Sequence, residues 1–474
     1  MRRLPPLAWL LAITGCVRLN PSYDERQTDG SSASGGVLSS TGITSESGTL
    51  ATSVSPSSTA VDATTEDTGT DPQTVEFTDD EWEGEFAEAE GLGPMDWVEQ
   101  SVQLPPSFDA GRLASRIFDA GSDTLWSELR WNPRAPYETP LQIPVGDEDV
   151  SYPSGNTGLA ALEFLAHVDA APFANNDPVA DATGLRQAFW LGSPTSDISG
   201  VFGRGLAHAD NNDADAFRIE LTEAVEPGTG PFTWTLWYRS ESCAGTTMLA
   251  LDAAPDAIGA GLYFMACGGN AECVNTGSRY ALAFIRGPGD PLSQVCSDVP
   301  IDDGVWHHLA LRREVNDAGQ VLEIFVDGRL AGGRPFPVVT DVSVHLDAMV
   351  QETFTLAGGN EGIHSGAGDY DEFALWNRAL STEELENLYN RGALSARFQI
   401  RACSSADCSD AEFVGPGDDL QSGYLDPGPQ FRHAVDLSAL ELRGRYIQYR
   451  FQLQRPLGAP SPAIEAVTVT GTRQ

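Results

Sequence analysis

The feature that most constrains the fold is a strict alternation of side chains in the middle of the chain. In "FTWTLWYRS" (232–240) one face carries Phe232, Trp234, Leu236 and Tyr238, and the other carries Thr233, Thr235, Trp237 and Arg239. A period of two sends successive side chains to opposite faces of a pleated strand, and aromatic and β-branched residues favour strands. The chain is therefore predicted to fold as packed β-sheets.

Two further segments extend this prediction. "VLEIFVDGRLAG" places Leu322, Ile324 and Val326 on one face and then turns at Asp327-Gly328, a dipeptide typical of tight hairpins. "DGVWHHLALRR" (303–313) is predicted to be the preceding antiparallel strand, joined to it by the polar loop "EVNDAGQ".

One helix is predicted in "ALSTEELENLYNRG". Ser381 is placed as the N-cap with Glu384 three residues later, which is a capping box, and Leu380 and Leu385 can form a hydrophobic staple. Gly392 is predicted to end the helix.

Charge narrows the range of partners. The chain has 474 residues, enough for two or three domains with hydrophobic cores, and it carries 68 acidic against 28 basic residues, with no lysine. A net charge of -40 disfavours nucleic acid and anionic lipid headgroups as partners.

The N-terminus predicts export. "MRRLPPLAWLLAITGC" has two arginines and then an apolar run that is too short to span a bilayer. Its "ITGC" resembles the lipobox of bacterial lipoproteins, which implies a signal peptide at 1–16, lipidation of Cys16 and an outer-membrane location, periplasmic or surface-exposed. The alternative is an ordinary signal peptide that contains a cysteine. Residues 17–75, rich in Ser and Thr, are predicted to be a disordered linker.

Six cysteines follow Cys16, and an even count in an exported chain indicates disulfides. Cys403 and Cys408 enclose only "SSAD" and are predicted to pair. Cys267 and Cys273 flank "GGNAE", a plausible hairpin tip, which would leave Cys243 with Cys296, but these four cysteines allow three connectivities. The alternative to disulfides is a zinc site, but the cysteines and histidines do not have the spacing that is typical of zinc ligands.

The quoted strands, with "GDYDEFALWNRALSTEELENLY", resemble the laminin G-like domain, a concanavalin A-type jelly roll of bacterial surface proteins. Upstream, "GLAALEFLAHVD", "DATG" and "FGRGLAHADNND" resemble the opening strands of that fold, so the resemblance covers about residues 145–392. It implies an all-β, antiparallel jelly-roll sandwich.

The flanking segments resemble two parts of a second, small β-sandwich, at 76–144 and 393–474. In the tail, Tyr446, Gln448, Arg450 and Gln452 alternate with Ile447, Tyr449, Phe451 and Leu453. The jelly roll is interpreted as an insertion into this companion domain. The alternative is three separate modules in a row.

The paired histidines, His307 and His308, raise the question of a chemical site. Adjacent residues on a strand point to opposite faces, so the two rings are expected to be structural rather than joint metal ligands. A retaining glucanase needs two carboxylates about 5 Å apart. "GDYDEF" comes nearest, with Asp369 and Asp371 predicted on one face and Tyr370 and Glu372 on the other, but it matches the closing strand of the resembled fold better.

Calcium is the one cofactor that the resemblance implies. The resemblance implies Asp181 and Asp371 as ligands, and a nearby loop offers further oxygens from Asp210, Asn212, Asp213 and Asp215. The alternative is that Asp181 caps a turn, Asp371 accepts backbone hydrogen bonds and the loop is solvated. Trp237 and Trp376 are expected in the core rather than stacked on a sugar.

The sequence therefore predicts a non-catalytic, lipid-anchored protein of the cell envelope whose laminin G-like domain binds a glycan or an extracellular protein. Its only membrane contact would be the N-terminal lipid. The alternative is a structural spacer without a specific ligand, and glycan hydrolysis is the least favoured function.

Overall fold

The structure is a computed structural model, and it describes residues 73–80, 86, 90–91, 93–98, 100–141, 152–169, 175–191, 195–208, 218–221, 227–241, 246–252, 261–266, 279–286, 291–342, 353–356, 368–415 and 433–474. The predicted signal peptide, Cys16 and the linker up to residue 72 lie outside the described residues. The same is true of Asp210, Asn212, Asp213 and Asp215.

Within the described residues, strands account for nearly all of the regular structure. The first six are β1 (Thr74–Asp80), β2 (Glu90–Gly91), β3 (Asp96–Val98), β4 (Ser101–Gln103), β5 (Ala110–Ala114) and β6 (Phe118–Pro133). The central strands are β7 (Leu162–Ala166), β8 (Pro178–Val179), β9 (Ala188–Leu191), β10 (Thr195–Ser199), β11 (Arg204–His208), β12 (Arg218–Leu221), β13 (Phe232–Arg239), β14 (Thr246–Asp252), β15 (Gly261–Ala266), β16 (Tyr280–Arg286), β17 (Ser293–Pro300), β18 (His307–Asn316), β19 (Gly319–Val326), β20 (Arg329–Phe336), β21 (Thr353–Leu356) and β22 (Gly368–Trp376). Helix α1 (Thr382–Ala393) follows, and then β23 (Ser395–Cys403), β24 (His433–Asp436), β25 (Arg443–Gln454) and β26 (Ala463–Arg473). In this part of the chain no helix has the length and apolar composition needed to cross a bilayer.

One ten-stranded antiparallel sheet, sheet A, is built from the two flanks of the chain. Its order is β2-β5-β25-β6-β26-β4-β3, and β1 pairs with β26, β23 with β25 and β24 with β6. The register sets Thr74 opposite Thr472, and Leu129 opposite both Val435 and Val469. Strands on either side of β7–β22 thus complete a single sheet, which has a hydrophobic core of its own.

Two eight-stranded antiparallel sheets form the central part. Sheet B has the order β10-β11-β22-β13-β18-β19-β20, with β7 paired to β22, and sheet C has the order β17-β16-β15-β14-β21-β12-β9-β8. Trp234 and Leu311 of sheet B share one buried cluster with Leu251 and Phe264 of sheet C. Two sheets that pack face to face confirm the predicted all-β sandwich.

Sheet B is buried on its second face as well. Leu385 and Leu388 of α1 pack there against Ala310, Ala374 and Trp376. Strand β13 is consequently buried along its length except at its last residue. The predicted alternation is confirmed, and the helix explains why even the threonines between the aromatic residues are inaccessible.

The capping box of α1 is confirmed. The Ser381 hydroxyl accepts a hydrogen bond from the Glu384 backbone N–H at 3.1 Å, and the Glu384 carboxylate accepts one from the Ser381 N–H at 2.8 Å. Both bonds satisfy N–H groups that the first turn of a helix leaves without partners. Leu380 and Leu385, the predicted staple, are both fully buried in the cluster beneath the helix.

The predicted role of Gly392 is wrong. The helix continues to Ala393, with Leu394 as the C-cap, so Gly392 lies inside the last turn. A Cβ atom at 392 would lie 2.5 Å from Trp237 Cζ2 and 2.5 Å from Val201 Cγ1. Glycine is needed at this position because the helix backbone approaches sheet B closely, not because the helix ends there.

The two hairpins around β19 are tight. Asp327 and Gly328 form the two-residue turn before β20 with φ angles of 53° and 72°, as the Asp-Gly dipeptide predicts. The connection before β19 is shorter than the predicted "EVNDAGQ" loop, because β18 and β19 stay paired as far as Asn316 and Gly319.

One predicted disulfide lies wholly within the described residues. Cys403 and Cys408 are bonded, with their Cα atoms 5.1 Å apart, which confirms that pair. Cys296 is also disulfide-bonded. The other members of the predicted set, Cys243, Cys267 and Cys273, lie outside the described residues, so their pairing stays a prediction.

Replacing Gly392 with alanine should destabilise the protein by about 1–3 kcal/mol, because the new methyl group would overlap the Trp237 ring and Val201. The matched control is Gly333→Ala on β20, where the nearest side-chain atom to a Cβ is Glu323 Cγ at 3.4 Å, an ordinary contact. Denaturant unfolding of both variants measures the difference. Equal stability of the two variants would contradict the role assigned to Gly392.

Candidate functional site

The histidine pair is not a joint site. On β18, His307 lies opposite Tyr238 of β13 and His308 lies opposite Trp237, whose side chains face opposite sides of the sheet. The Nδ1 of His307 is 2.9 Å from Asp327 Oδ2, and its Nε2 is 3.1 Å from Asp303 Oδ1. His308 packs on the Trp237 ring with the ring centroids 5.3 Å apart. Their separation onto opposite faces confirms the structural interpretation.

The two rings differ in protonation. Burial opposes a charge on His307, but hydrogen bonds and charges from Asp327 and Asp303 outweigh it and raise its pKa above the usual value. Burial without a comparable partner lowers the pKa of His308 to about 4. His307 thus holds two acidic loops together, whereas His308 is a neutral core residue.

The prediction of which side chains of "GDYDEF" share a face of the strand is wrong for Glu372. A bulge in β22, at which Glu372 adopts φ 49°, shifts the register against β13. Tyr370 and Phe373 both enter the core between sheets B and C, so the two residues between them, Asp371 and Glu372, point away from it. Glu372 does not share a face with Tyr370; its carboxylate instead lies 2.7 Å from Nδ1 of His167.

The bulge creates a buried carboxylate that is held by the backbone. Asp371 is inaccessible, and its Oδ2 accepts hydrogen bonds from the N–H groups of Val201 at 2.7 Å and Phe202 at 3.0 Å. Its Oδ1 accepts one from the Glu372 N–H at 2.9 Å. Burial and the charge of Glu372 raise the pKa of Asp371 well above the usual range, against the effect of the backbone donors.

Asp181, the other calcium candidate, is also engaged by backbone groups. Its carboxylate accepts hydrogen bonds from the N–H groups of Leu165, Thr183, Leu185 and Arg186 and from the Thr183 hydroxyl. The "DATG" segment is therefore a capped turn. Both carboxylates use their oxygens on N–H donors, and within the described residues no group of three or more His, Cys, Asp or Glu side chains is arranged to hold a metal ion.

The two tryptophans that could stack on a sugar if they were exposed are both buried. Trp237 is 4% exposed and Trp376 is 0% exposed, under helix α1. Their expected place in the core is confirmed, so neither ring is available to a ligand.

A cleft of about 480 Å³ opens where helix α1 meets sheet A. Its polar walls come from β4, the segment after β6, two turns of the helix and the loop before β26, and they include Gln103, Arg134, Glu383, Asn387, Asn390 and Ser461. This volume falls within the range of about 300–1,000 Å³ that is typical of small-ligand sites.

One atom of this cleft lacks a partner. The side-chain oxygen of Asn390 is buried and has no hydrogen-bond donor within the described residues. The neighbouring Asn387 donates from Nδ2 to the Asn156 carbonyl at 2.9 Å, and Gln103 donates to Ser101 Oγ at 2.8 Å. Buried acceptors are nearly always satisfied, so Asn390 Oδ1 needs a donor. Because this oxygen is closed to solvent, a ligand or a water in the cleft could donate to it only after the Asn390 side chain turns towards the cleft.

The His167–Glu372 contact and the cleft could not have been predicted from the sequence. The contact between His167 and Glu372 depends on a bulge at a non-glycine residue with positive φ, for which the sequence carries no local signal. The cleft needs Asn390 of the helix beside Gln103 of sheet A, residues 287 positions apart in the printed sequence. Only the helix itself, with its capping box, was visible as a motif.

Comparison with known proteins places part of the chain in a family. Residues 212–386 match the model of a laminin G-like family described as the concanavalin A-like lectin/glucanases superfamily. The matched range lies within 145–392 and contains β13–β22, so the predicted laminin G-like domain is confirmed. The comparison with curated proteins gives no match.

Solved structures give partial similarities. Domain 4 of AbnA, a GH43 extracellular arabinanase from Geobacillus stearothermophilus solved with arabinotriose, is 19% identical with a TM-score of 0.36, over 48% of this chain and 98% of that one. The binding domain of Paraclostridial Mosquitocidal Protein 1 is 11% identical with a TM-score of 0.34, over 52% and 61%. The botulinum neurotoxin serotype D binding domain is 10% identical with a TM-score of 0.34, over 48% and 50%. At these values the similarities say nothing about a ligand.

The contribution of His307 to stability should depend on pH. Because its folded pKa is raised, the contribution is fully present below about pH 6.5, the unfolded value, and is lost as pH rises through the folded pKa. His307→Gln should therefore cost about 1–2 kcal/mol at pH 5.5 and less at pH 8.5, measured by denaturant unfolding.

His308→Gln provides the opposite case. With a folded pKa of about 4, the neutral His308 contributes stability above about pH 6.5 that is lost as pH falls towards 4. The gap between wild type and this variant should widen as pH rises. Parallel pH profiles for the two variants would refute the assigned protonation states.

Proposed function

Residues 212–386 form a laminin G-like domain of the concanavalin A-like superfamily, and from this premise we propose that the protein is a non-catalytic, glycan-binding protein of the cell envelope. The cleft beside helix α1 is the proposed ligand site. The unpartnered oxygen of Asn390 is the observation that carries the proposal.

Three carboxylates within the described residues support binding rather than catalysis. Hydrolysis of a glycosidic bond needs two carboxyl groups free to face the substrate from opposite sides of the bond. Asp371 instead accepts three backbone hydrogen bonds, Asp181 is engaged by four backbone N–H groups, and Glu372 contacts His167. In these positions the carboxylates stabilise the fold and do not face a substrate.

The chemistry of the cleft suits a carbohydrate. Sugar hydroxyls both donate and accept hydrogen bonds, and side-chain amides and carboxylates satisfy both roles. Asn390 supplies an acceptor, Asn387 and Gln103 supply amides, and Glu383 is an exposed carboxylate with no ion pair within the described residues. A ligand hydroxyl that donates to Asn390, once its side chain turns towards the cleft, would remove the cost of its unsatisfied oxygen.

The proposed envelope location rests on the N-terminal sequence. Cys16 follows "ITG" after a short apolar run, and the Ser/Thr-rich residues between Cys16 and β1 would separate the folded sheets from the lipid. A domain held in this way can meet extracellular polymers while it stays attached to the cell.

We expect the purified protein to bind carbohydrates on a glycan array, and Asn390→Ala to weaken that binding about tenfold because one buried hydrogen bond is lost. The matched control is Asn377→Ala. Asn377 also has a buried side-chain oxygen without a partner, but it does not line the cleft, so this variant should bind like wild type. Parallel arrays with calcium and with a chelator measure any contribution of that ion.

Two outcomes would count against the proposed site or function. Equal binding by Asn390→Ala and Asn377→Ala would show that the ligand does not bind in the cleft. An array without any hit for the wild-type protein would favour the spacer function, and polysaccharide cleavage abolished by a single carboxylate substitution would favour the hydrolase.

The anchor has its own test. Cys16→Ser should move the protein from the membrane fraction to the soluble fraction of a bacterial host, because the acyl chains would have no attachment site. Val17→Ala keeps the cysteine and should remain with the membranes. Membrane association of Cys16→Ser equal to wild type would disprove lipidation at this residue.

A further inference from the structure

The outward face of sheet A carries a regular set of arginines and glutamines. Strands β5, β25 and β23 lie side by side there, and their side chains on the other face fill the core of sheet A. We name this surface the arginine–glutamine face; it consists of the exposed Arg112, the half-buried Arg401 and Arg450, and beneath them the buried Gln399, Gln448 and Gln452.

Each of the three arginines lies directly opposite a glutamine and donates to its side-chain oxygen. Arg112 Nε donates to Gln452 at 3.1 Å, Arg401 Nε and Nη2 to Gln448 at 3.0 and 2.6 Å, and Arg450 Nε and Nη2 to Gln399 at 3.0 and 2.7 Å. The partners are neutral. Hydrogen bonds hold the guanidinium groups in place without cancelling their charge.

Such uncompensated charge is unexpected in this chain, which has 68 acidic residues for 28 arginines. None of the three arginines is in an ion pair within the described residues, whereas Arg397 beside them pairs with Glu138 at 3.0 Å. Burial and then the charges of Arg112 and Arg401 lower the pKa of Arg450, so the three cations repel one another. Glu412, an exposed residue, is the acidic group that acts on Arg450, and it makes no hydrogen bond to it.

Two of the three guanidinium groups are also fixed by an aromatic ring. Phe413 stacks on both Arg401, at 4.6 Å, and Arg450, at 4.2 Å. The Nη1 and Nη2 of Arg112 and the Nη1 of Arg450 have no hydrogen-bond partner within the described residues and are not among its buried unpartnered atoms. A bound anion would therefore meet donors that are already positioned, which lowers the entropic cost of binding.

The three arginines follow a line across the sheet. Arg112 is opposite Gln452 and Arg401 is opposite Gln448, so each is a diagonal neighbour of Arg450 on the central strand. Diagonal neighbours in a sheet are about 7–8 Å apart. Three cations on three neighbouring strands fit a ligand that repeats its negative charge along a chain.

We propose that the arginine–glutamine face binds an anionic polysaccharide, one that carries carboxylate or sulfate groups along its chain. Guanidinium groups match both anions by paired N–H donation. The site lies on another surface than the cleft beside helix α1 and takes a different ligand, so it goes beyond the function proposed above. The net charge of -40 does not prevent binding at physiological salt, where charges further away than about 8 Å are largely screened.

The test uses the full chain and two immobilised polyanions, polygalacturonate for carboxylates and heparin for sulfates, with dextran as the neutral polymer. The wild-type protein should bind at least one polyanion at 0.15 M NaCl, should be released as salt increases, and should not bind dextran. The double variant Arg112→Gln/Arg450→Gln should lose at least about tenfold in affinity. The matched control is Arg445→Gln, which removes an exposed arginine of the same strand that is already paired with Asp119 at 2.7 Å and should bind like wild type.

Polyglutamate is the arm that separates a polysaccharide from an acidic protein. Stronger binding to polyglutamate than to both polysaccharides would overturn the proposal and assign the face to an acidic peptide. Absence of binding to either polysaccharide would overturn it too, as would a double variant that binds like wild type while its thermal unfolding is unchanged. Loss of Asn390-dependent binding on the glycan array would leave this result unaffected, because the two sites share no residue.

Discussion

The burial of sheet B on both faces is the constraint on which the rest of the structure depends. A sandwich needs one apolar face per sheet, but here β13 and β18 pack against sheet C on one side and against helix α1 on the other. Every side chain on both faces of β13 and β18 must therefore fit a buried position. The helix has to be held at a fixed position and at close range, and this explains the capping box, the buried Leu385 and Leu388, and a glycine where the backbone passes Trp237.

The same constraint decides which residues are left for function. His307 and the carboxylates of the bulge in β22 lie where sheet B is covered, and their polar atoms bond to neighbouring segments, whereas His308, Trp237 and Trp376 are buried in the core. Charged groups open to solvent lie instead at the border of the helix, where Glu383 is exposed, and on the outer face of sheet A, where Arg112 is exposed. The two proposed binding surfaces thus use residues that the sandwich does not need for packing.

Much of the fold could be predicted because its signals are local. Alternation in "FTWTLWYRS" and in residues 446–453 assigns each side chain to a face, and the Asp-Gly turn and the capping box each depend on a few adjacent residues. The failures were at places where distant segments decide the outcome. Gly392 looked like a helix end because its contact with Trp237 is invisible in sequence, and the bulge at Glu372 reversed a face assignment. The arginine–glutamine face could be predicted only in part. The alternation of Gln448, Arg450 and Gln452 is evident in the sequence, but their partners on β5 and β23 are not.

The pairing of β1 with β26 and of β6 with β24, β25 and β26 has a consequence for how the chain acquires its structure. All strands of sheets B and C precede residue 377, whereas sheet A joins segments separated by the whole central region. Long loops must close before such contacts form, and sheets with distant pairings assemble slowly. The central sandwich can therefore be complete while the early strands β1–β6 have not yet paired with the C-terminal strands of sheet A and still have unpaired edges. During this interval the acidic composition of the chain, through mutual repulsion, would keep neighbouring molecules from adding strands to those edges.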